Sequence, residues 1–192
     1  MAKIRESSMP PQELWGSFFN PEGVLDALDC RELAGDVMEF GCGYGTFTIA
    51  AAQRSAGMVY ALDIDPLMVA ATTDHATSAG VKNVVAERRD FIADGCGRPD
   101  ASISYTMLFN ILHLEEPVAL LREAHRVLQP SGIAGVMHWN RDRRTPRGPP
   151  MQIRPSPQEC IQWAEEAGFQ SAELRDLPGC PWHWGLVLLK QP

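Results

Sequence analysis

No two of the five cysteines (Cys30, Cys42, Cys96, Cys160, Cys180) form a C-x-x-C pair, and their number is odd. That scatter argues against a disulfide framework or a zinc site and for reduced, buried thiols; no metal is expected. No apolar stretch is long enough to cross a bilayer. The opening residues, Met1 to Ser8, lack the apolar core of a signal peptide. A soluble, cytoplasmic protein is therefore expected. Positive charge is in deficit: the net charge is -7, without long charge runs. This disfavours bulk nucleic-acid binding, which depends on neutralising phosphates. Internal repeats and low-complexity segments are missing as well.

What remains is an alternation of strand and helix patterns. Residues 10–30 read as two short helices carrying Leu14, Trp15, Phe18 and Phe19, the second starting at Pro21. Five short apolar runs then read as strands: 37–40, 58–62, 84–87, 101–108 and 133–139. Between them lie helical patterns, the clearest at 116–128 with Leu120, Leu121, Ala124 and Leu128 on one face. After an arginine- and proline-rich loop comes a helix capped by Ser156. Two more strands, 169–174 and 185–189, are close enough in sequence to form an antiparallel hairpin at the sheet edge. The expected fold is α/β: a doubly wound, mostly parallel seven-stranded sheet with helices on both faces. One domain accounts for the chain: a helical cover (1–35), a core (36–140), the loop (141–157) and a C-terminal helix and hairpin (158–192).

The most informative run is Glu39-Phe-Gly41-Cys42-Gly43-Tyr-Gly45-Thr46, a strand ending in an acid and followed by three alternating glycines. Glycines permit a sharp turn and let a ligand lie against the backbone. Thr46 stands where a dinucleotide fingerprint places its third glycine. Asp63 ends the second strand, at the distance of a carboxylate that holds ribose hydroxyls. Asp65 is the alternative at that strand end. Asp90 and Phe91 end the third strand, and Asp90 is alternatively a helix cap.

With Val59-Tyr-Ala-Leu-Asp63-Ile64, Arg89-Asp90-Phe91, Phe109-Asn110-Ile-Leu-His113-Leu-Glu-Glu-Pro117 and Arg126-Val-Leu-Gln-Pro130-Ser-Gly132 in this order, the chain resembles the class I S-adenosylmethionine-dependent methyltransferases of the small-molecule, type 11-like kind. The resemblance covers nearly everything from Val37 to Trp139. It implies a Rossmann-like methyltransferase fold, S-adenosylmethionine as cofactor and S-adenosylhomocysteine as product. Glu39 and the backbone of Gly41 and Gly43, in a turn with Cys42 and Gly45, would face the methionine end. Asp63 would hold the ribose, Ile64 and Phe91 would flank adenine, and Asp90 would accept from its amino group. Asn110 joins this cofactor set. Ser131 departs from the glycine usual in the family.

Methyl transfer needs alignment and exclusion of water, and a base only if the nucleophile sheds a proton. His138 and His113 are the candidate bases, His138 preferred because its strand end aims it into the crevice. Arg147 or Arg154 would pair with a substrate carboxylate or phosphate. Trp139 ends the fifth strand beside the substrate pocket, and Trp15 is either a lid or ordinary packing. His75 and His125 are expected to be exposed, and His183 to pack on an edge strand. The expected partner is a small molecule, possibly anionic, and the protein a monomer or homodimer without membrane or nucleic-acid contacts. A nicotinamide oxidoreductase is disfavoured because no Tyr-x-x-x-Lys pair exists. A non-catalytic cofactor-binding protein is the remaining rival.

Overall fold

The computed structural model describes residues 9–192. Met1 to Ser8, read above for a leader, lies outside the described residues. The strands are β1 (Val37–Phe40), β2 (Val59–Asp63), β3 (Val84–Arg88), β4 (Ile103–Phe109), β5 (Leu128–Trp139), β6 (Ser171–Arg175) and β7 (His183–Leu189). The helices are α1 (Gln12–Gly16), α2 (Pro21–Ala27), α3 (Thr46–Ala52), α4 (Pro66–Ser78), α5 (Pro117–Val127) and α6 (Pro157–Ala167).

The sheet runs β3-β2-β1-β4-β5-β7-β6. The first five strands are parallel, and β7 and β6 antiparallel. From β1 the chain winds outward through β2 to β3, then returns to β4 on the other side. The reversal therefore falls between β1 and β4, where a doubly wound sheet opens its ligand crevice.

Strand alternation feeds two cores. Met38 and Phe40 of β1 and Val136 of β5 enter one, packed by Leu120, Leu121, Ala124 and Val127 of α5. Val37, Tyr105, Met107, Phe109 and Met137 enter the other, with Leu25 of α2 and Phe47 and Ala51 of α3. Proline sets φ at the start of each long helix, and in α4 and α6 a side chain takes up orphan amides. Asp65 accepts from Leu67 N at the start of α4, and Ser156 and Glu159 form a capping box on α6.

Several expectations need correcting. The strand β5 begins at Leu128, so Leu128 leaves the helix and Val127 completes the buried face of α5. Leu14 is exposed at 40% rather than clustered with its neighbours. The hairpin ends the sheet, but β7 lies inside it between β5 and β6. His183 is therefore buried on an internal strand and not at an edge. His75 and His125 are half-buried, the first against Tyr44 O at 3.2 Å and the second edge-on to Phe169.

Candidate active site

The glycine turn leaves β1 with positive φ at Gly41 (80°), Gly43 (53°) and Gly45 (73°). Only glycine adopts this series without strain. The turn is held from β2: Asp63 accepts from Gly43 N through Oδ2 and from Asp65 N through Oδ1, each at 3.0 Å. Asp65 instead caps α4, so Asp63 is the carboxylate aimed at the turn. Burial pushes its pKa up. Glu39 is 2% exposed and accepts a short hydrogen bond from Thr48 Oγ1. Burial raises its carboxyl to about 8 against the Thr48 bond, with Asp63 adding to the rise. Among the described residues no cation pairs with either acid. Cys42 is buried, its thiol pushed up by burial and bonded to Thr72. It is a small turn residue and no nucleophile.

Glu39, the Gly41–Gly43 turn and Asp63 line an open cavity of about 120 Å³, together with Ile64, Phe91, Asn110 and His113. A second cavity of about 50 Å³ shares Ile64, Phe91, Ile111 and His113 and adds Asp90. The shared walls make one crevice along the ends of β1, β2 and β4. Asp90 Oδ1 caps the turn after β3, accepting from Ile92 N and Ala93 N. No helix follows β3, so Asp90 caps a turn rather than a helix, and it lines the wall as well. Phe91 does two jobs as well, lining the crevice while its ring meets Phe40 edge-on at 5.3 Å.

Asn110 carries the strongest ligand signal. It has φ 56°, and both its amide atoms are buried without a hydrogen-bond partner. An unsatisfied amide in a cavity wall is costly unless a ligand completes it. Together with two unpaired acids and a side-chain-free turn, the residues present suit a ligand bearing an ammonium group and vicinal hydroxyls.

The acceptor side differs from expectation. His113 lines the crevice, and His138 sits behind it, fully buried. His138 Nε2 lies 3.2 Å from His113 Nδ1, and its Nδ1 3.4 Å from Trp139 O. Burial, then the neighbouring His113, holds the His138 pKa well below its ordinary value. Trp139 is 1% exposed and packs between Phe18, Phe19 and His183, away from the cavity wall. Trp15 does line the cavity, while its ring meets Phe19 at 4.8 Å. Trp15 thus packs on the core and lines the cavity at once.

Arg154 is 5% exposed and does not reach the crevice. Its guanidinium donates to Asn140 O (2.7 Å), Thr145 Oγ1 (2.7 Å), Pro149 O (2.8 Å) and Arg147 O (3.1 Å). It is the internal brace of the loop, not a substrate anchor. Arg147 is exposed and lines neither cavity. The sequence reading missed Met9, Phe47, Phe109 and Ile111 in the wall. Only Phe109 carried a signal, as the last inward residue of a strand preceding Asn110. Among the described residues no group of three or more His, Cys, Asp or Glu is placed to hold a metal, and no helix is long and apolar enough to cross a membrane.

Residues 37–132, half of the chain, match the family described as a methyltransferase domain. Among curated proteins, the ribosomal protein L11 methyltransferase of Methylococcus capsulatus is 37% identical over 91 residues, 46% of this chain and 30% of that protein. The namesake from Aliivibrio salmonicida is 43% identical over 58 residues, 30% of this chain and 20% of that one. The matched stretches thus span less than a third of these relatives. Among solved structures, a SAM-dependent methyltransferase from Aquifex aeolicus superposes with a TM-score of 0.79 at 23% identity, covering 94% of this chain and 93% of its own. The [4+2]-cyclase SpnF follows with 0.71 at 18%, covering 97% and 84%. At such identities the likeness concerns the fold.

Proposed function

The chain belongs to the methyltransferase domain family, and from that premise we propose that its crevice binds S-adenosylmethionine and methylates a small acceptor by in-line displacement. The carrying observation is the pair of buried carboxylates, Glu39 and Asp63, facing one cavity across a three-glycine turn with no cation among the described residues against either. Glu39 and the turn backbone would face the methionine ammonium, and the Asn110 amide would complete its bonding there. Asp63 would hold the ribose hydroxyls. Ile64 and Phe91 would sandwich adenine, and Asp90 would accept from its amino group. When bound, the cofactor supplies an electrophilic methyl: the acceptor's lone pair bonds that carbon as the carbon–sulfur bond breaks, its electron pair neutralising the sulfonium. The protein contributes alignment and a dry chamber.

Trp15, Phe47, Phe109 and His113 wall the rest of the cavity. Among the described residues that lining contains no Lys or Arg, which supports an uncharged acceptor over an anionic one. Arg147 keeps a role only as a solvent-side anchor. A protein acceptor is the second reading, favoured by the name of the curated relatives. Turnover separates these readings. Incubation with methyl-labelled S-adenosylmethionine and a panel of neutral and anionic small molecules should label neutral ones. Labelling of ribosomal protein alone would establish the second reading, and a protein that binds the cofactor without turnover would be a binding protein.

A further inference from the structure

Between β3 and β4 the chain runs from Arg89 to Ser102 without helix or strand. The start of this connection, Arg89 to Ile92, forms one wall of the crevice. Regular pairing cannot place that wall, so side chains must. Arg89 closes the loop from within, donating from Nε to Gly95 O (2.5 Å) and from Nη2 to Asp94 O (3.1 Å). Phe91 packs into the core. Beyond it an open gap of about 240 Å³ separates the loop from α5, lined by Phe91, Ile92, Gly95, Ala119, Leu120 and Glu123.

The tie across that gap is a carboxylate. Glu123, on α5, accepts from Cys96 N at 2.7 Å through Oε1. Arg126, one turn further along α5, donates to both Glu123 oxygens at 2.8 Å. That bidentate pairing holds the Glu123 carboxyl down to about 2, so the acceptor is ionised and its bond to Cys96 N is charge-assisted. Arg126 also donates to Arg98 O at 3.0 Å and pairs with Asp100, fixing the far half of the same connection. Gly95 lets loop and carboxylate meet: its φ is 63°, and a Cβ there would sit 3.0 Å from Glu123 Oε1. We propose that Glu123 is a positioning residue for the adenine end of the crevice: through Cys96 N it holds the β3–β4 connection where Asp90 and Phe91 meet the base. The adenine contacts themselves rest on the cofactor placement proposed above.

Calorimetry with S-adenosylhomocysteine and amide exchange, both on the full chain, test this together. Glu123→Ala removes the acceptor, so the Cys96 amide should lose protection. Kd should rise about tenfold, as for a lost hydrogen bond to a charged group. Glu123→Gln keeps an oxygen for Cys96 N and should stay within about threefold of the natural chain. A merely structural role would weaken binding equally in any background. A residue acting through the wall should not: once Phe91→Ala has removed the ring, Glu123→Ala should add only about twofold. Equal losses in both backgrounds, a Kd indifferent to Glu123→Ala, or a Cys96 amide still protected in that variant would overturn the assignment. A natural chain that binds no S-adenosylhomocysteine would remove the cofactor placement itself, and the assignment with it.

Discussion

Glu39 is an acid whose ionisation the fold strongly opposes. The folded protein holds its proton up to about 8, while an unfolded carboxyl loses it near the ordinary 4.5. Between those values the native state binds more protons, so raising the pH destabilises it. At about 1.4 kcal/mol per pKa unit, the loss over that window is on the order of a few kcal/mol. Glu39→Gln cannot ionise, so its Tm should fall less than that of the wild type between pH 4.5 and about 8; parallel melting curves would count against the buried acid. The same variant should bind cofactor at least about tenfold more weakly, a loss of roughly 1.4 kcal/mol. Asn110 offers a cleaner separation. Glycine suits its φ of 56°, so Asn110→Gly should hold stability within about 1 kcal/mol yet weaken cofactor binding. Unchanged affinity would mean the orphaned amide serves no ligand.

The elements differ in how much of them the sequence discloses. The glycine turn and the acids after β1 and β2 were legible because a local turn and strand ends determine where they point. His138 was not, because its strand end is covered by a strand distant in sequence: β7 runs past it, pairing Trp184 with His138 and His183 with Trp139. Arg154 misled for a related reason. A guanidinium bonded to carbonyls of its own loop looks, in sequence, like one awaiting an anion. Arg154→Ala should strip four hydrogen bonds from the loop, costing about 2 kcal/mol. Amide exchange should quicken across 140–150, and cofactor Kd should remain within about twofold. A rise in substrate KM with an intact loop would restore Arg154 as an anchor. At the opposite end of the sheet, Tyr105 Oη donates to Leu28 O at 2.7 Å and ties β4 to the end of α2. Tyr105→Phe leaves that buried carbonyl unpaired and should cost about 1–3 kcal/mol by denaturant unfolding; a neutral result would mean this bond does not hold α2.

Across the whole molecule, two cores clamp a sheet whose reversal point opens between β1 and β4, and the acids, the turn and the orphaned amide all converge there. Fold and family leave the reaction's acceptor open, as a cyclase among the structural neighbours illustrates. The cofactor is the claim everything else depends on. Calorimetric titration of the full chain with S-adenosylmethionine, S-adenosylhomocysteine and NAD, with Asp63→Ala alongside, tests it most directly. The account predicts micromolar binding of the first two, weakened more than about tenfold in the variant, and none of NAD. Binding of NAD alone, or adenosyl binding indifferent to Asp63, would contradict it.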